Sequence, residues 1–326
     1  MQHDGPDTRR GPGFSSVRRP VPGRRARRTA ARARGRATES DGNASPNRPF
    51  RPCRHTRWVV DITVATESYG DVLFSSARDN EQTRLDGLTR ALDPVSFQTL
   101  HDLGVGPGWR CLDVGAGTGT VSSWLSRAVH GPVTAVDRDI TFLARKRSHL
   151  DVVHADINHT DFLPGEFDLV HARLLMMHLR QREELLPRML SWVRPGGLLV
   201  LTDGVALHPE QYHHPAYREV MTGHFRMMAN VIGSDLHFAS RYPQILTDMG
   251  LAKVGLLAHH PIIGMNPGFA TFVAHTLEQS EGHLLADGIA QNTLDEAVAH
   301  VRRPETREMF IAMLTAWGHK PHMTDR

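Results

Sequence analysis

The chain has 326 residues, 38 Lys and Arg against 35 Asp and Glu, a net charge of +3 and 40% hydrophobic residues. That is enough apolar content for a core of domain size, and no apolar run approaches the ~18 residues that would cross a bilayer. Two cysteines, Cys53 and Cys111, exclude a disulfide framework and a cysteine-built zinc site, so a reducing, cytoplasmic setting is the default.

The charge is unevenly spread. Residues 1–58 hold 15 Arg, no Lys and four acids (Asp4, Asp7, Glu39, Asp41), a net +11, which leaves −8 on the remaining 268 residues. With Gly, Pro and Ser between Arg pairs and few large apolar side chains, this tail cannot bury enough surface to offset its ordering entropy and is expected to be disordered. It reads as an electrostatic arm for nucleic acid, as a targeting leader, or as a dispensable extension from a start site placed too early. No apolar region follows an Arg pair, which argues against secretion. The ratio of 35 Arg to 3 Lys favours the extension.

Residues 59–106 form the next block. Glu81–Leu92 has a helical pattern, Asp93-Pro94 is expected to start a second helix with proline in its first turn, and Gly104 to Gly108 ends it. Residues 107–206 then alternate strands and helices. The apolar run into Leu112-Asp113-Val114-Gly115-Ala116-Gly117-Thr118-Gly119 predicts a strand that ends in a loop whose glycines let a ligand touch the backbone. A helix over about 118–128 points free N–H groups at that ligand. Further strands are predicted at 132–136, 151–156, 167–172 and 198–202, with helical stretches around Ile140 to Arg147 and Gln181 to Val193. This order means a parallel sheet covered by helices on both faces.

The glycine spacing is G-x-G-x-G; the third glycine of a dinucleotide fingerprint would stand at Thr120. With Asp113 before it, Asp137 after the second strand, Asp156 after the third and Pro195-Gly196-Gly197 before the fifth, the segment resembles class I S-adenosylmethionine-dependent methyltransferases. The likeness covers roughly residues 79–318 and is nearest to the bacterial small-molecule enzymes found beside natural-product pathways. It implies an α/β, Rossmann-like seven-stranded sheet, parallel with one antiparallel late strand, an N-terminal helical cap and a C-terminal lid insertion. It also implies S-adenosyl-L-methionine as cofactor, contacted by Asp113, Gly115, Gly117, Gly119, Asp137, Arg138, Asp156, Ile157 and Arg173. Arg84, in a Glu81-x-x-Arg84 element, would meet the cofactor's carboxylate. Asp137 stands where open α/β sheets bind ligands, whereas Asp156 fits a helix N-cap equally well and Asp168 reads as a turn residue.

Residues 207–326 carry helical patterns at 209–231, 240–249, 267–278 and 294–301, with late strands in 251–263 and 309–317. The acceptor is expected to enter between the N-terminal helices, the segment after strand five and the insertion from Ile263 to Val301. Histidines are abundant here, but His213-His214 and His259-His260 are adjacent pairs whose side chains diverge, so no metal is expected. His178 and His171, after and within strand four, are the candidate catalytic residues, as general bases for an acceptor hydroxyl; His178 fits a structural histidine equally well.

The reading is methyl transfer to O, N or C of a small organic acceptor, with no membrane partner. Residues 171–174 are His-Ala-Arg-Leu, without the Asn/Asp-Pro-Pro-Tyr or Pro-Cys elements of nucleic-acid methylation. An NAD-dependent oxidoreductase on the same kind of sheet and a nucleic-acid binder using the Arg-rich tail are the alternatives.

Overall fold

The computed structural model describes residues 68–143 and 149–322. The Arg-rich tail and half of the stretch from Ile140 to Arg147 lie outside the described residues.

The apolar runs become a seven-stranded sheet: β1 (Cys111–Val114), β2 (Val133–Asp137), β3 (Leu150–His154), β4 (Phe167–Arg173), β5 (Val193–Ala206), β6 (Ala252–His259) and β7 (Ile311–His319). Their order is β3-β2-β1-β4-β5-β7-β6. The first five are parallel to one another, and β7 runs antiparallel to both β5 and β6. All four residues of β1 are buried, as a central strand covered on both faces requires.

Each helix is the amphipathic partner that this sheet needs. In α2 (Thr120–Val129), Val121, Leu125 and Val129 recur at four-residue spacing and meet β1 and β2 in one apolar cluster. On the opposite face, α3 (Arg182–Trp192) and α5 (Tyr242–Asp248) bury Leu185, Met189, Trp192 and Leu246. The remaining helices are α1 (Glu81–Asp102), α4 (Pro215–Met227), α6 (Pro267–Gln279), α7 (Glu281–Ala286) and α8 (Gln291–Arg302). They build a separate apolar core with Phe225, Phe269, Phe272, Leu277 and Phe310. Helix starts follow local chemistry: Asn266 Oδ1 accepts from the Phe269 N–H at the head of α6, and proline opens both α4 and α6.

Two expectations need correction. Pro94 does not start a second helix; α1 runs unbroken through it for 22 residues. Its first half packs on α6, where a Cβ on Gly87 would lie 2.5 Å from the Gly268 carbonyl oxygen. Its second half packs on α2, where Phe97 stacks on Trp124 at 5.1 Å. Packing at both ends offsets the hydrogen bond that proline removes. The Pro195-Gly196-Gly197 turn is part of a longer β5, whose Gly196 has φ +78° and donates to the Lys320 carbonyl.

Candidate active site

The chain reverses direction across the sheet between β1 and β4, which opens a crevice at their carboxyl ends. A cavity of about 500 Å³ occupies it, in the size range of small-molecule sites.

Its floor is the glycine loop after β1. Gly115, Gly117 and Gly119 have φ of +70°, +56° and +72°, a left-handed run that side chains resist. A Cβ on Gly117 would meet no protein atom within 4 Å, so that backbone faces open space. The loop is clasped by Asp137, whose Oδ2 accepts the Gly117 N–H at 2.7 Å and whose Oδ1 accepts the Asp139 N–H at 2.9 Å. Burial raises the Asp137 pKa, partly offset by those two N–H groups.

Asp113 and His171 are directly opposite each other in the β1–β4 register. Asp113 is buried, accepts from Ser122 Oγ and lies 2.8 Å from His171 Nδ1, so this pair braces the loop from beneath. Asp156 turns on itself to accept the Asn158 N–H at 2.8 Å, beside buried Ile157 on the cavity wall.

The three arginines face the cavity already paired. Arg84 is buried; its Nε and Nη2 donate to Glu81 at 2.8 and 2.7 Å, Nη2 also to Tyr69 Oη at 2.7 Å, and Nη1 to Thr276 Oγ1 at 3.3 Å. Its guanidinium lies 4.5 Å from the Phe74 ring centre. Arg173 bonds Asp93 at 2.8 Å and Ser96 at 3.0 Å, tying α1 to the end of β4. Arg138 holds the Tyr69 carbonyl and Asp71 at 2.5 and 2.6 Å, which pins the segment before α1 over the crevice.

His178 sits in the loop after β4. Its Nδ1 is 2.9 Å from Ser234 Oγ and its ring stacks on Tyr69 at 4.2 Å. Burial first, then the Arg84 and Arg182 charges, push its pKa down to about 3, so the ring is neutral at physiological pH. The loop is strained at Leu174, with φ +54°, and anchored from below by buried Asp203 of β5. The Asp203 carboxylate accepts from the Tyr242 hydroxyl, and the nearby Leu175 and Met177 N–H groups oppose the rise in its pKa that burial causes. Asp168, read as a turn residue, is on β4 and clasps the Arg110 N–H and Arg194.

Tyr69, Thr276 and Phe272 also line this cavity. Nothing in their local sequence marks them, because helix packing brings them in from elements about 200 residues apart in the chain.

The family described as "Methyltransferase domain" matches residues 112–201, the stretch that holds the glycine loop, Asp137, Asp156 and β4. This part of the chain is a class I S-adenosylmethionine-dependent methyltransferase domain. The domain is 29% identical over 132 residues to methyltransferase GfsG of Streptomyces halstedii, covering 38% of this chain and 48% of that protein. It is 23% identical over 155 residues to phosphoethanolamine N-methyltransferase 3 of Arabidopsis thaliana, covering 45% and 30%. The chain thus spans 48% and 30% of these curated relatives' length. Its fold is that of Haemonchus contortus phosphoethanolamine N-methyltransferase 2, solved with phosphomonomethylethanolamine and S-adenosylhomocysteine. There the TM-score is 0.51 at 17% identity, covering 79% of this chain and 61% of that one.

The cradle suits the family's cofactor. A left-handed glycine backbone with nothing above Gly117, an acid at the end of β2 and an Asx turn at Asp156 leave room and polar partners for a nucleoside.

Proposed function

We propose that this protein methylates a small organic acceptor, using S-adenosylmethionine held by the glycine loop. The observation that carries the proposal is the Asp137 clasp on Gly117 at the switch point, opening into a cavity of small-molecule size. When bound, the cofactor supplies an activated methyl group, so the protein mainly has to align the acceptor and exclude water. Gly115, Gly117 and Gly119 seat the nucleoside end, Asp137 takes the ribose, and Asp156 with Ile157 flank the base. Asp113 and His171 hold the loop's shape rather than touch the acceptor. Arg138 and Arg173 keep the walls closed through Asp71 and Asp93, and Arg84 presents a fixed positive charge to the cavity.

His178 faces the acceptor as a neutral ring tied to Ser234. The acceptor is a metabolite of the natural-product kind, modified on oxygen or nitrogen. A cytoplasmic protein without a membrane partner fits this role; among the described residues no helix is long and apolar enough to cross a membrane.

Thermal shift separates this from an oxidoreductase. S-adenosylhomocysteine should raise Tm and NADH should not, because stabilisation follows RT ln(1 + [L]/Kd); the opposite pattern refutes the proposal. With the acceptor in hand, His178→Ala should lower turnover about tenfold or more at unchanged S-adenosylhomocysteine affinity. Unchanged turnover removes His178 from the site.

A further inference from the structure

The residues assigned to the cofactor leave one end of the cavity unexplained. That end lies under the helical layer, walled by Leu88, Phe225, Met228, Phe272, Phe310 and Ile311. His224 of α4 reaches into it and is only 2% exposed.

The protonation of His224 follows from its neighbours. Its Nδ1 is 3.3 Å from Ser280 Oγ, and the single Ser280 hydroxyl proton is directed at the Thr276 carbonyl, 2.7 Å away. The Ser280 oxygen therefore accepts from Nδ1, so the ring proton sits on Nδ1 and the neutral ring keeps a bare lone pair on Nε2. Burial, then the Arg84 charge, lower the His224 pKa to about 3, which keeps the ring neutral. Only Nδ1 has a hydrogen-bond partner among the described residues. His224 lines the cavity, so a free acceptor atom on its ring is a site for a donor.

The charges around it narrow the class of molecule. Arg84 is the cation that bears on both His178 and His224, and Glu81, Tyr69 and Thr276 occupy its donors. A phosphate would find the donors of that guanidinium already occupied. An ammonium would meet the same positive charge that resists protonation of the two imidazoles. Aromatic and aliphatic walls complete a chamber for an uncharged body.

We infer that His224 anchors the acceptor, its Nε2 receiving a hydrogen bond from a hydroxyl on an uncharged, apolar or aromatic molecule. This rests on the reading of the protein as a methyltransferase for a small organic acceptor. It sets the chain apart from its phosphoethanolamine-methylating relatives at the acceptor end, though not at the cofactor end.

The test uses the full chain and three probes: para-propylphenol, its methyl ether para-propylanisole, and phosphoethanolamine. Titration calorimetry with S-adenosylhomocysteine present should give at least about tenfold tighter binding of the phenol than of the ether, the effect of one buried hydrogen bond. Phosphoethanolamine should not compete. His224→Phe should abolish the phenol's preference while still binding the ether, and His224→Gln, whose amide oxygen can accept, should restore part of it. Equal phenol and ether binding by the unaltered protein overturns the inference. So does a preference that survives His224→Phe, tighter phosphoethanolamine binding, or no phenol binding at millimolar concentration. If His224→Phe does not fold, the phenol and ether contrast with the Gln variant decides. The same contrast can be measured without S-adenosylhomocysteine, so a chain that ignores that ligand would refute the methyltransferase reading while leaving the His224 result standing or falling separately.

Discussion

At Asp137 one carboxylate does two jobs: it holds the Gly117 and Asp139 N–H groups and offers its remaining capacity to the crevice. Asp137→Ala should weaken S-adenosylhomocysteine binding about tenfold or more by calorimetry, since charge-assisted hydrogen bonds are worth roughly 1.5–3 kcal/mol each. Gly117→Ala tests the loop differently. A left-handed alanine costs roughly 1–2 kcal/mol, and its methyl would project into space that no protein atom fills. Stability should fall by about that amount, while ligand affinity falls further; a loss of stability alone would show that the space is not the ligand's. Asp137 and the glycines were legible in the sequence because a strand end followed by alternate glycines has few other uses. Tyr69 and His224 were not, because a lone aromatic or histidine on an amphipathic segment looks like any other core residue.

Among the elements, α1 departs most from its local signals. Pro94 and Asp93 suggested a break, yet the helix continues because α6 grips one half and α2 the other. Asp93 is kept for a different task, accepting from Arg173 and from Thr120 Oγ1 at 3.2 Å, so that α1, α2 and β4 meet at one carboxylate. The α1–α6 crossing depends on Gly87 and Gly268, each of whose missing Cβ would clash with the other's carbonyl oxygen, at 2.5 and 2.8 Å. Gly87→Val should therefore destabilise the protein by about 1–3 kcal/mol, read from the urea midpoint, and loosen the cavity wall that α1 provides. An unchanged midpoint would mean that the helices cross elsewhere.

Over the whole molecule, buried titratable groups set how stability varies with pH. His178 and His224 have pKa values near 3 in the folded chain against roughly 6.5 unfolded, so between these values the unfolded state binds protons that the native state does not. Their contribution is fully present above about pH 6.5 and is lost as pH falls towards 3. Asp203 acts in the opposite sense: burial raises its pKa to about 7, so its contribution falls as pH rises from about 4 to 7. Urea midpoints measured from pH 4 to 8 should thus show a shallower acid-side loss in His224→Phe than in the unaltered chain. A parallel curve would mean that His224 is not buried in its neutral form.

The sequence by itself determined the alternation of strands and helices, the glycine cradle and the acid that closes it. These rest on short-range rules: alternation of strands and helices, left-handed glycines, and an acid at a strand end. Only the tertiary structure decided which partners the polar side chains find. Arg84, Arg173 and Arg138 looked like free ligand-binding cations, yet each is paired, with Glu81, Asp93 and Asp71. Glu81 is close to Arg84 in the chain, but Asp93 and Asp71 reach theirs only through the β1–β4 register and helix packing. At the acceptor end the sequence pointed to segments, but α1, α4 and α6 are distant in the chain, and long-range packing alone puts His224 and Arg84 on one cavity.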